Sequence, residues 1–232
     1  AQPFVNYIAW LKQQDQTEAE AFWRQELAGF TTPTQLVVDR KWPKAGDSVM
    51  QRARVPEKVT AVLQTLARHN QITLNTILQG VWALLLSRYN DNDDVLFGTT
   101  VAGRPPELAD VESMVGLFIN TLPVRVQVPQ NEPVIAWLQS LHNHQQTCRQ
   151  FEHVLLTDIQ GWSEIPRDLP LFETLFAYES YPMEAAIQQA GQAALQIEER
   201  TVFSRTNYPL TIAISPGAQL GIMVSYDNGR FT

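Results

Sequence analysis

Histidine, cysteine and carboxylate residues are the first candidates for chemistry, and their spacing in this chain matches none of the common catalytic patterns. The sequence has no Cys-x-x-Cys, no His-Glu-x-x-His and no Gly-Lys pair, so zinc sites and phosphate-binding loops have no support. It also lacks the Gly-x-Ser-x-Gly turn that presents the nucleophile of esterases. The residues alone therefore predict no self-contained active site, and we assign neither a catalytic residue nor a metal site.

The histidines and the cysteine have structural explanations. His142 and His144 look like a chelating pair, but they lie on a helix predicted over residues 133–150. A spacing of two places them about 200° apart around the axis, so we expect surface histidines. Cys148 lies on the apolar stripe of that helix and is predicted to be an inert core thiol. His69 closes a helix, where a positive charge suits the dipole, and His153 is predicted to be structural rather than a general base.

Hydrophobic periodicity predicts the elements that would position any site. Two helices precede Gly29, and others are predicted from residue 56 with the stripe Val59, Val62, Leu63 and Leu66, over residues 74–89, over residues 133–150 with Val134, Trp137, Leu138 and Leu141 inward, and over residues 151–162, ended by Gly161. Strands are predicted over residues 49–55, 95–100, 171–178, 195–203, 209–215 and 220–226, an extended run over residues 36–43, and a surface excursion over residues 184–194. Strands and helices mix without strict alternation, which predicts an α/β (mixed α+β) fold with a mixed sheet flanked by helices.

The stretch over residues 101–126 is predicted to be a structured loop between two strands. It opens with Gly103-Arg104-Pro105-Pro106, which stops any helix or strand, and continues through an acidic patch into the apolar run 114–119. Gly116 inside that run indicates a tight bend or a closely approaching backbone. Pro123 places the following strand at a sheet edge or marks its first residues. Long ordered loops of this kind tend to carry function.

Composition excludes several classes of protein. The chain has 232 residues and a net charge of -7, and it has no basic stripe to neutralise phosphates, so we expect no nucleic acid partner. No apolar run approaches the roughly 20 residues that cross a bilayer, so we expect no membrane partner. The single cysteine excludes an internal disulfide and fits a reducing compartment, so a cytoplasmic location is expected. Because Ala1 begins inside an amphipathic pattern, we expect the chain to be part of a longer one.

Five segments, in the right order, carry a resemblance to a known family. The run VGLFINTLPVR at residues 115–125 resembles a signature stretch of the condensation domains of nonribosomal peptide synthetases. The other segments similar to that family are FVNYIAW at residues 4–10, GWSEIP at 161–166 followed by LPLF at 169–172, FSRTNYPL at 203–210, and YDNGRF at 226–231. Together the segments extend the resemblance over essentially the whole chain.

This resemblance implies a fold like that of chloramphenicol acetyltransferase, in which two lobes face each other across a tunnel. Donor and acceptor peptidyl carrier proteins would load phosphopantetheine thioesters from opposite sides, and an amide bond would form. The family's catalytic motif, His-His-x-x-x-Asp-Gly, belongs to the first lobe, and this chain contains neither a His-His nor an Asp-Gly dipeptide. The resemblance therefore implies that residues 1–232 are the C-terminal lobe, inactive without the N-terminal lobe.

The same resemblance implies roles for particular segments. Residues 98–121 would be the floor loop of the tunnel and residues 184–210 a latch that crosses to the first lobe. Met114, Leu117 and Phe118 would form an exposed apolar interface. The tunnel-lining candidates are Gly116, Phe118, Asn120, Thr121, Ser204 and Asn207.

Each polar candidate also has a structural alternative. Asn120, Ser204 and Asn207 would donate hydrogen bonds to pantetheine amides or to the thioester carbonyl, but Asn120 also suits a turn cap, and Asn207 suits fixing the backbone before a proline. Arg104 would meet a phosphopantetheine phosphate or else pair with Glu107 or Asp110. The chain itself would bind no cofactor; phosphopantetheine would arrive on the carrier proteins.

Three functions stay open from the sequence. The leading one is the tunnel-forming, acceptor-side lobe of an amide-forming condensation domain. An epimerisation domain shares the fold and the first-lobe histidines, although the Asn120-Thr121 match argues mildly against it. The third is a non-catalytic lobe that docks carrier proteins or an adjacent adenylation domain.

Overall fold

A six-stranded mixed sheet organises the fold. The structure is a computed structural model, and it describes residues 2–36, 46–179 and 206–231. The strands are β1 (Ser48–Val55), β2 (Asp94–Val101), β3 (Asn120–Gln127), β4 (Thr174–Tyr178), β5 (Leu210–Ser215) and β6 (Leu220–Asp227). Their order across the sheet is β1-β6-β5-β4-β2-β3, with β4 parallel to both β2 and β5 and all other pairs antiparallel. The predicted mixed sheet is therefore confirmed.

Six α-helices accompany this sheet in the described part of the chain. They are α1 (Val5–Leu11), α2 (Gln16–Glu26), α3 (Glu57–His69), α4 (Leu74–Asn90), α5 (Val134–Arg149) and α6 (Leu156–Trp162). Side chains cap two of them: Asp15 accepts hydrogen bonds from the backbone N–H groups of Thr17 and Glu18, and Thr73 accepts one from Thr76. None of the described helices has the length and hydropathy that a membrane span requires.

Alternation along β2 shows that the sheet is buried on both faces. Phe97 belongs to the core shared with α4 and α5, which includes Trp82 and Trp137. Its neighbour Leu96 points the other way, into the core formed by α2 and α6 around Trp23. Because successive side chains of a strand lie on opposite faces, one strand supplies both cores. The helices therefore flank the sheet on its two sides, as predicted.

Two predicted apolar stripes are partly wrong. On α3, Val59 and Val62 are 47% and 66% exposed, while the buried positions of the helix are Thr60 and Ala67. The hydroxyl of Thr60 accepts a hydrogen bond from the backbone N–H of Leu220, which turns this face of α3 towards the sheet.

The other corrections concern α5 and α6. On α5, Val134 is 61% exposed because it lies in the first turn, beyond the packed part of the helix, whereas Trp137, Leu138 and Leu141 are buried as predicted. Gly161 does not end α6, because backbone bonding continues from the N–H of Ser163 to the carbonyl of Ile159 and the helix ends at Trp162.

The edge position of β3 agrees with the sequence. β3 is the outermost strand, and Pro123 pairs with Gly98 of β2 in its register. Proline donates no ladder hydrogen bond, so an edge strand suits it. The hairpin predicted at residues 215–218 is confirmed by the antiparallel pairing of β5 with β6. Most of the extended run at residues 36–43, the excursion at 184–194, the strand at 195–203 and most of the proposed latch at 184–210 lie outside the described residues.

Candidate functional site

An open cleft of about 2450 Å³ lies against the sheet. Its lining comes from β1, β2, β3, β4, β6, α4 and α5, and from the connection between β2 and β3. Three predicted site residues, Arg104, Gly116 and Phe118, line this cleft. The described positions Asn120, Thr121 and Asn207 are not among its lining residues, and Ser204 lies outside the described residues. The β2–β3 connection, residues 102–119, is called the cleft loop below.

Packing of the cleft loop on α1 orders its inner side. The ring of Phe118 lies 5.1 Å from that of Phe4, edge to face, and 4.6 Å from that of Tyr7. A Cβ atom on Gly116 would come within 2.1 Å of the Phe4 ring, so this glycine admits a side chain rather than the predicted backbone. At Gly103 the backbone itself is close: φ is +62°, and a Cβ atom would meet the carbonyl oxygen of Phe118 at 1.9 Å.

The outer side of the cleft loop presents a different row from the one predicted. Met114 and Phe118 are 2% and 4% exposed because they pack on α1, so neither forms an exposed interface. Val115, Leu117 and Ile119 are 86%, 78% and 57% exposed. Only Leu117 of the three predicted interface residues is therefore on the surface. The row Val115, Leu117 and Ile119 is called the exposed row below.

Arg104 braces the cleft loop from within. Its guanidinium donates hydrogen bonds to the carbonyl oxygens of Val111 and Met114 and lies 4.1 Å from the centroid of the Phe118 ring. The ion pair predicted with Glu107 or Asp110 is not formed, because the guanidinium points into the loop and its donors meet backbone oxygens there. A contact between Arg104 and a phosphate stays a prediction.

Asn120 connects the start of β3 to the segment between α5 and α6. Its amide nitrogen Nδ2 donates to the carbonyl oxygens of Glu152 and Val154 at 2.9 and 2.6 Å. Its Oδ1 accepts from the backbone N–H of Thr121 at 2.8 Å. These bonds match the structural alternative for Asn120, and substrate contacts by Asn120 and Thr121 stay predictions. Asn207, in the described segment before β5, is exposed.

A carboxyl group and an imidazole lie on the α5 side of the cleft. Burial raises the pKa of the Glu152 carboxyl, an effect that Arg149 opposes and Glu107 reinforces. Burial lowers the pKa of His153, whose ring lies edge to face with that of Trp10 at 5.7 Å. Both shifts favour neutral side chains on this wall.

A chain of buried hydrogen bonds supports the same wall from behind. Thr76 donates to Gln145 at 2.9 Å, and Gln145 donates to Gln79 at 2.8 Å. The amide of Gln79 reaches Thr99 at 3.4 Å, and Thr99 donates to the carbonyl of Phe176 at 3.0 Å. Four polar side chains thereby fix α5 and α4 on the sheet, since buried polar groups are costly unless paired.

His142 and His144 point to opposite sides of α5, as their spacing predicts, but both have partners and are not free surface histidines. Nδ1 of His142 lies 3.0 Å from the hydroxyl of Thr76 on α4. Nε2 of His144 lies 2.8 Å from a carboxylate oxygen of Glu26 and 3.6 Å from the sulfur of Cys148. Cys148 is half-buried and lines the cleft, so the predicted inert core position is wrong. The physical reason is that α5 is flanked on both sides, by α4 and by the end of α2.

The arrangement around His144 was missed by the sequence reasoning. Contacts with Cys148 and then with Glu26 raise the pKa of His144 to about 10, against the opposing effect of burial. The four-residue spacing of His144 and Cys148 on one helix was a usable signal, because such residues share a face. Glu26 is distant in sequence, and no periodicity predicts its approach.

Comparisons with known proteins agree on one family. The family described as Condensation domain matches residues 1–232. A linear gramicidin synthase from Brevibacillus parabrevis is 44% identical over 99% of this chain, and Chondramide synthase cmdD from Chondromyces crocatus is 40% identical over 99%. The chain spans only 3% and 6% of those relatives.

Solved structures show the same fold. The X-domain from teicoplanin biosynthesis superposes with a TM-score of 0.77 at 20% identity, over 97% of this chain and 54% of that one. The condensation domain from Monacolin K polyketide synthase MokA gives a TM-score of 0.74 at 15% identity, over 93% of this chain and 53% of that one. With a family match along its whole length, a six-stranded mixed sheet and these structural neighbours, the chain belongs to the condensation-domain family.

Proposed function

We propose that this chain is the second, C-terminal lobe of a condensation domain that forms an amide bond between two carrier-bound thioesters in nonribosomal peptide synthesis. The observation that carries the proposal is its extent: the chain covers 53% of the MokA condensation domain and 54% of the teicoplanin X-domain. The sequence also lacks the His-His-x-x-x-Asp-Gly motif that the resemblance assigns to the first lobe. In this proposal the first lobe supplies the catalytic histidine.

The open cleft is one wall of the proposed tunnel. It runs along strands and the cleft loop without closing over, and the exposed row presents three large apolar side chains beside it. Large exposed apolar side chains grouped on one surface are typical of an interface. We assign this row to the contact with the first lobe and the cleft loop to the tunnel floor, within residues 98–121.

In the proposed reaction, the amine nitrogen of the acceptor aminoacyl group attacks the donor thioester carbonyl. The carbon–nitrogen bond forms, the carbon–sulfur bond breaks, and the phosphopantetheine thiol of the donor carrier leaves. This lobe contributes shape and hydrogen bonds: Gly116 and Phe118 line the tunnel, and Asn120, Thr121, Ser204 and Asn207 are the proposed polar contacts. Arg104 is the proposed phosphate contact, at the cleft loop.

The proposed partners follow from this chemistry. Donor and acceptor peptidyl carrier proteins bring phosphopantetheine arms, and the chain itself holds no cofactor. An N-terminal lobe completes the tunnel, an adenylation domain is the proposed neighbour, and the proposed location is the cytoplasm. Holo-AB3403, a four-domain nonribosomal peptide synthetase, contains a segment of this fold, with a TM-score of 0.74 at 17% identity.

Reconstitution tests the proposal. The chain is mixed with a first lobe carrying His-His-x-x-x-Asp-Gly and two loaded carrier proteins, and intact mass spectrometry follows the acceptor carrier. We expect a dipeptidyl thioester that disappears when the second histidine of the first lobe is changed to alanine. Loss of stereochemical purity without dipeptide would favour an epimerisation lobe, and binding without reaction would favour a docking lobe.

Variants of the exposed row sharpen this experiment. Leu117→Asp places a charge where the first lobe is proposed to pack, so both lobe association and dipeptide yield should fall at least about tenfold. Val134→Asp is the matched control, because Val134 is 61% exposed and does not line the cleft. Equal association by the two variants would overturn the assignment of the interface.

A further inference from the structure

Three side chains that the proposed function does not use meet beside the cleft. Glu26 is the last residue of α2, and His144 and Cys148 lie one turn apart on α5. A carboxylate oxygen, an imidazole nitrogen and a thiol sulfur from these residues all lie within 4.8 Å of one another. All three residues are half-buried, and no other such group of potential metal ligands occurs in the described part of the chain.

The two contacts of His144 use the same ring atom. Nε2 lies 2.8 Å from Oε1 of Glu26 and 3.6 Å from Sγ of Cys148. A single hydrogen on Nε2 cannot point at both partners, whereas a cation between the three atoms satisfies all of them. The arrangement therefore suits a shared ion better than one shared proton.

The distances fit a tetrahedral centre. Bonds of about 2.0 Å to nitrogen and about 2.3 Å to sulfur at a tetrahedral angle place the two donors about 3.5 Å apart. The observed nitrogen–sulfur separation is 3.6 Å. Nitrogen and oxygen, now 2.8 Å apart, would have to separate by about half an ångström, which the carboxylate side chain achieves by rotation.

The donor types select the metal. Thiolate and imidazole are borderline-soft ligands that favour zinc, while magnesium and calcium require oxygen donors throughout. Three protein ligands also leave a fourth position open, and His144 and Cys148 both line the cleft. Cys148 is the only cysteine in the sequence, so no second thiol of the chain competes for it.

We propose that Glu26, His144 and Cys148 form a zinc(II) site whose fourth ligand is a water molecule or a small soft ligand from the cleft. Binding replaces the protons on Nε2 and on the thiol, involves no oxidation, and links the end of α2 to α5. The site is independent of the proposed amide chemistry, because none of its residues belongs to the tunnel contacts assigned above.

Metal titration of the full chain tests the proposal. After treatment with a chelator and its removal, the chain is titrated with zinc(II) followed by inductively coupled plasma mass spectrometry, and separately with cobalt(II) followed by absorption spectroscopy. We expect one equivalent of zinc per chain, a raised melting temperature, and a thiolate-to-cobalt charge-transfer band with intense tetrahedral ligand-field bands. This band reports sulfur coordination directly and does not depend on enzymatic activity.

Single-residue variants identify the ligands. Cys148→Ser should abolish the charge-transfer band, and Glu26→Gln and His144→Gln should each weaken zinc binding at least about 100-fold, since even partners that only orient ligands contribute 10–100-fold. His69→Gln and Glu20→Gln are matched controls on exposed residues of α3 and α2 and should bind zinc like the unaltered chain. Circular dichroism confirms folding, and Glu26→Gln, which keeps size and shape, decides the matter if Cys148→Ser unfolds. Less than half an equivalent of zinc, no charge-transfer band, or equal affinity in Glu26→Gln would each overturn the proposal.

Discussion

The guanidinium of Arg125 holds the carboxylate of Asp94 through two parallel hydrogen bonds, from Nε to Oδ1 at 2.9 Å and from Nη2 to Oδ2 at 2.7 Å. Its Nη1 donates to the backbone carbonyls of Glu26 and Ala28 at 2.9 and 2.8 Å. The side chain of Arg125 is only 16% exposed, and hydrogen bonding to Asp94 raises the pKa of Arg125 above its ordinary value. One side chain therefore joins β2, β3 and the end of α2, the segment that presents Glu26 to His144.

Arg125→Lys should destabilise the chain by about 2 kcal/mol, because an ammonium group cannot make the paired bonds to Asp94 and also reach two carbonyl oxygens. Urea unfolding followed by tryptophan fluorescence measures the loss. Arg24→Lys is the control: its pair with Glu20 is 56% and 40% exposed, and its loss should stay below about 0.5 kcal/mol. Similar losses in the two variants would contradict the role given to Arg125.

Three glycine-to-alanine changes should separate by what surrounds each glycine. Gly103→Ala should cost about 3 kcal/mol, since φ is +62° and the new Cβ atom meets a backbone oxygen. Gly116→Ala should cost about 1–2 kcal/mol, because the Phe4 ring has to move. Gly161→Ala, inside α6 with no atom within 4 Å, should gain up to about 1 kcal/mol. Thermal unfolding ranks the three, and a different order would contradict the packing of the cleft loop on α1.

Local patterns predicted the elements well, and long-range contacts limited the rest. Alternation in β3 and helical spacing in α5 depend only on nearby residues, so both elements were found from sequence. The inward face of α3 was not, because the bond from Leu220 to Thr60 spans most of the chain.

The same limit applies to the site. The segments around Phe118 and Asn120 indicated the family, but the packing of Phe118 on α1 depends on residues more than a hundred positions away. That packing buries Met114 and Phe118 and exposes Val115 and Ile119 instead. The approach of Glu26 to His144 has the same long-range origin, so no sequence pattern contained it.

Asn120→Asp should destabilise the chain more than Asn120→Ala. The Nδ2 group of Asn120 faces the carbonyl oxygens of Glu152 and Val154, so a carboxylate there would lose both hydrogen bonds and repel both acceptors. We expect losses of about 3 kcal/mol for aspartate and about 1–2 kcal/mol for alanine. Urea unfolding measures both, with Asn6→Asp as the control, since Asn6 is exposed. An aspartate variant as stable as the alanine variant would exclude this donor role.

Glu152→Gln should stabilise the chain at neutral pH and have no such effect in acid. Burial raises the pKa of Glu152 above its ordinary value of 4.5, so the folded state holds the proton more tightly than the unfolded state does. The carboxyl group is therefore most favourable to folding below its unfolded pKa, and that advantage is lost as the pH rises through its folded pKa. Glutamine keeps the shape and never ionises, so its benefit should appear as the pH rises from about 4 to 7. Melting temperatures across that range measure the difference, and Glu132→Gln, at an exposed position, should show no comparable trend. A benefit that is constant with pH, or largest in acid, would mean that Glu152 is stabilised as a carboxylate by Arg149 rather than disfavoured by burial.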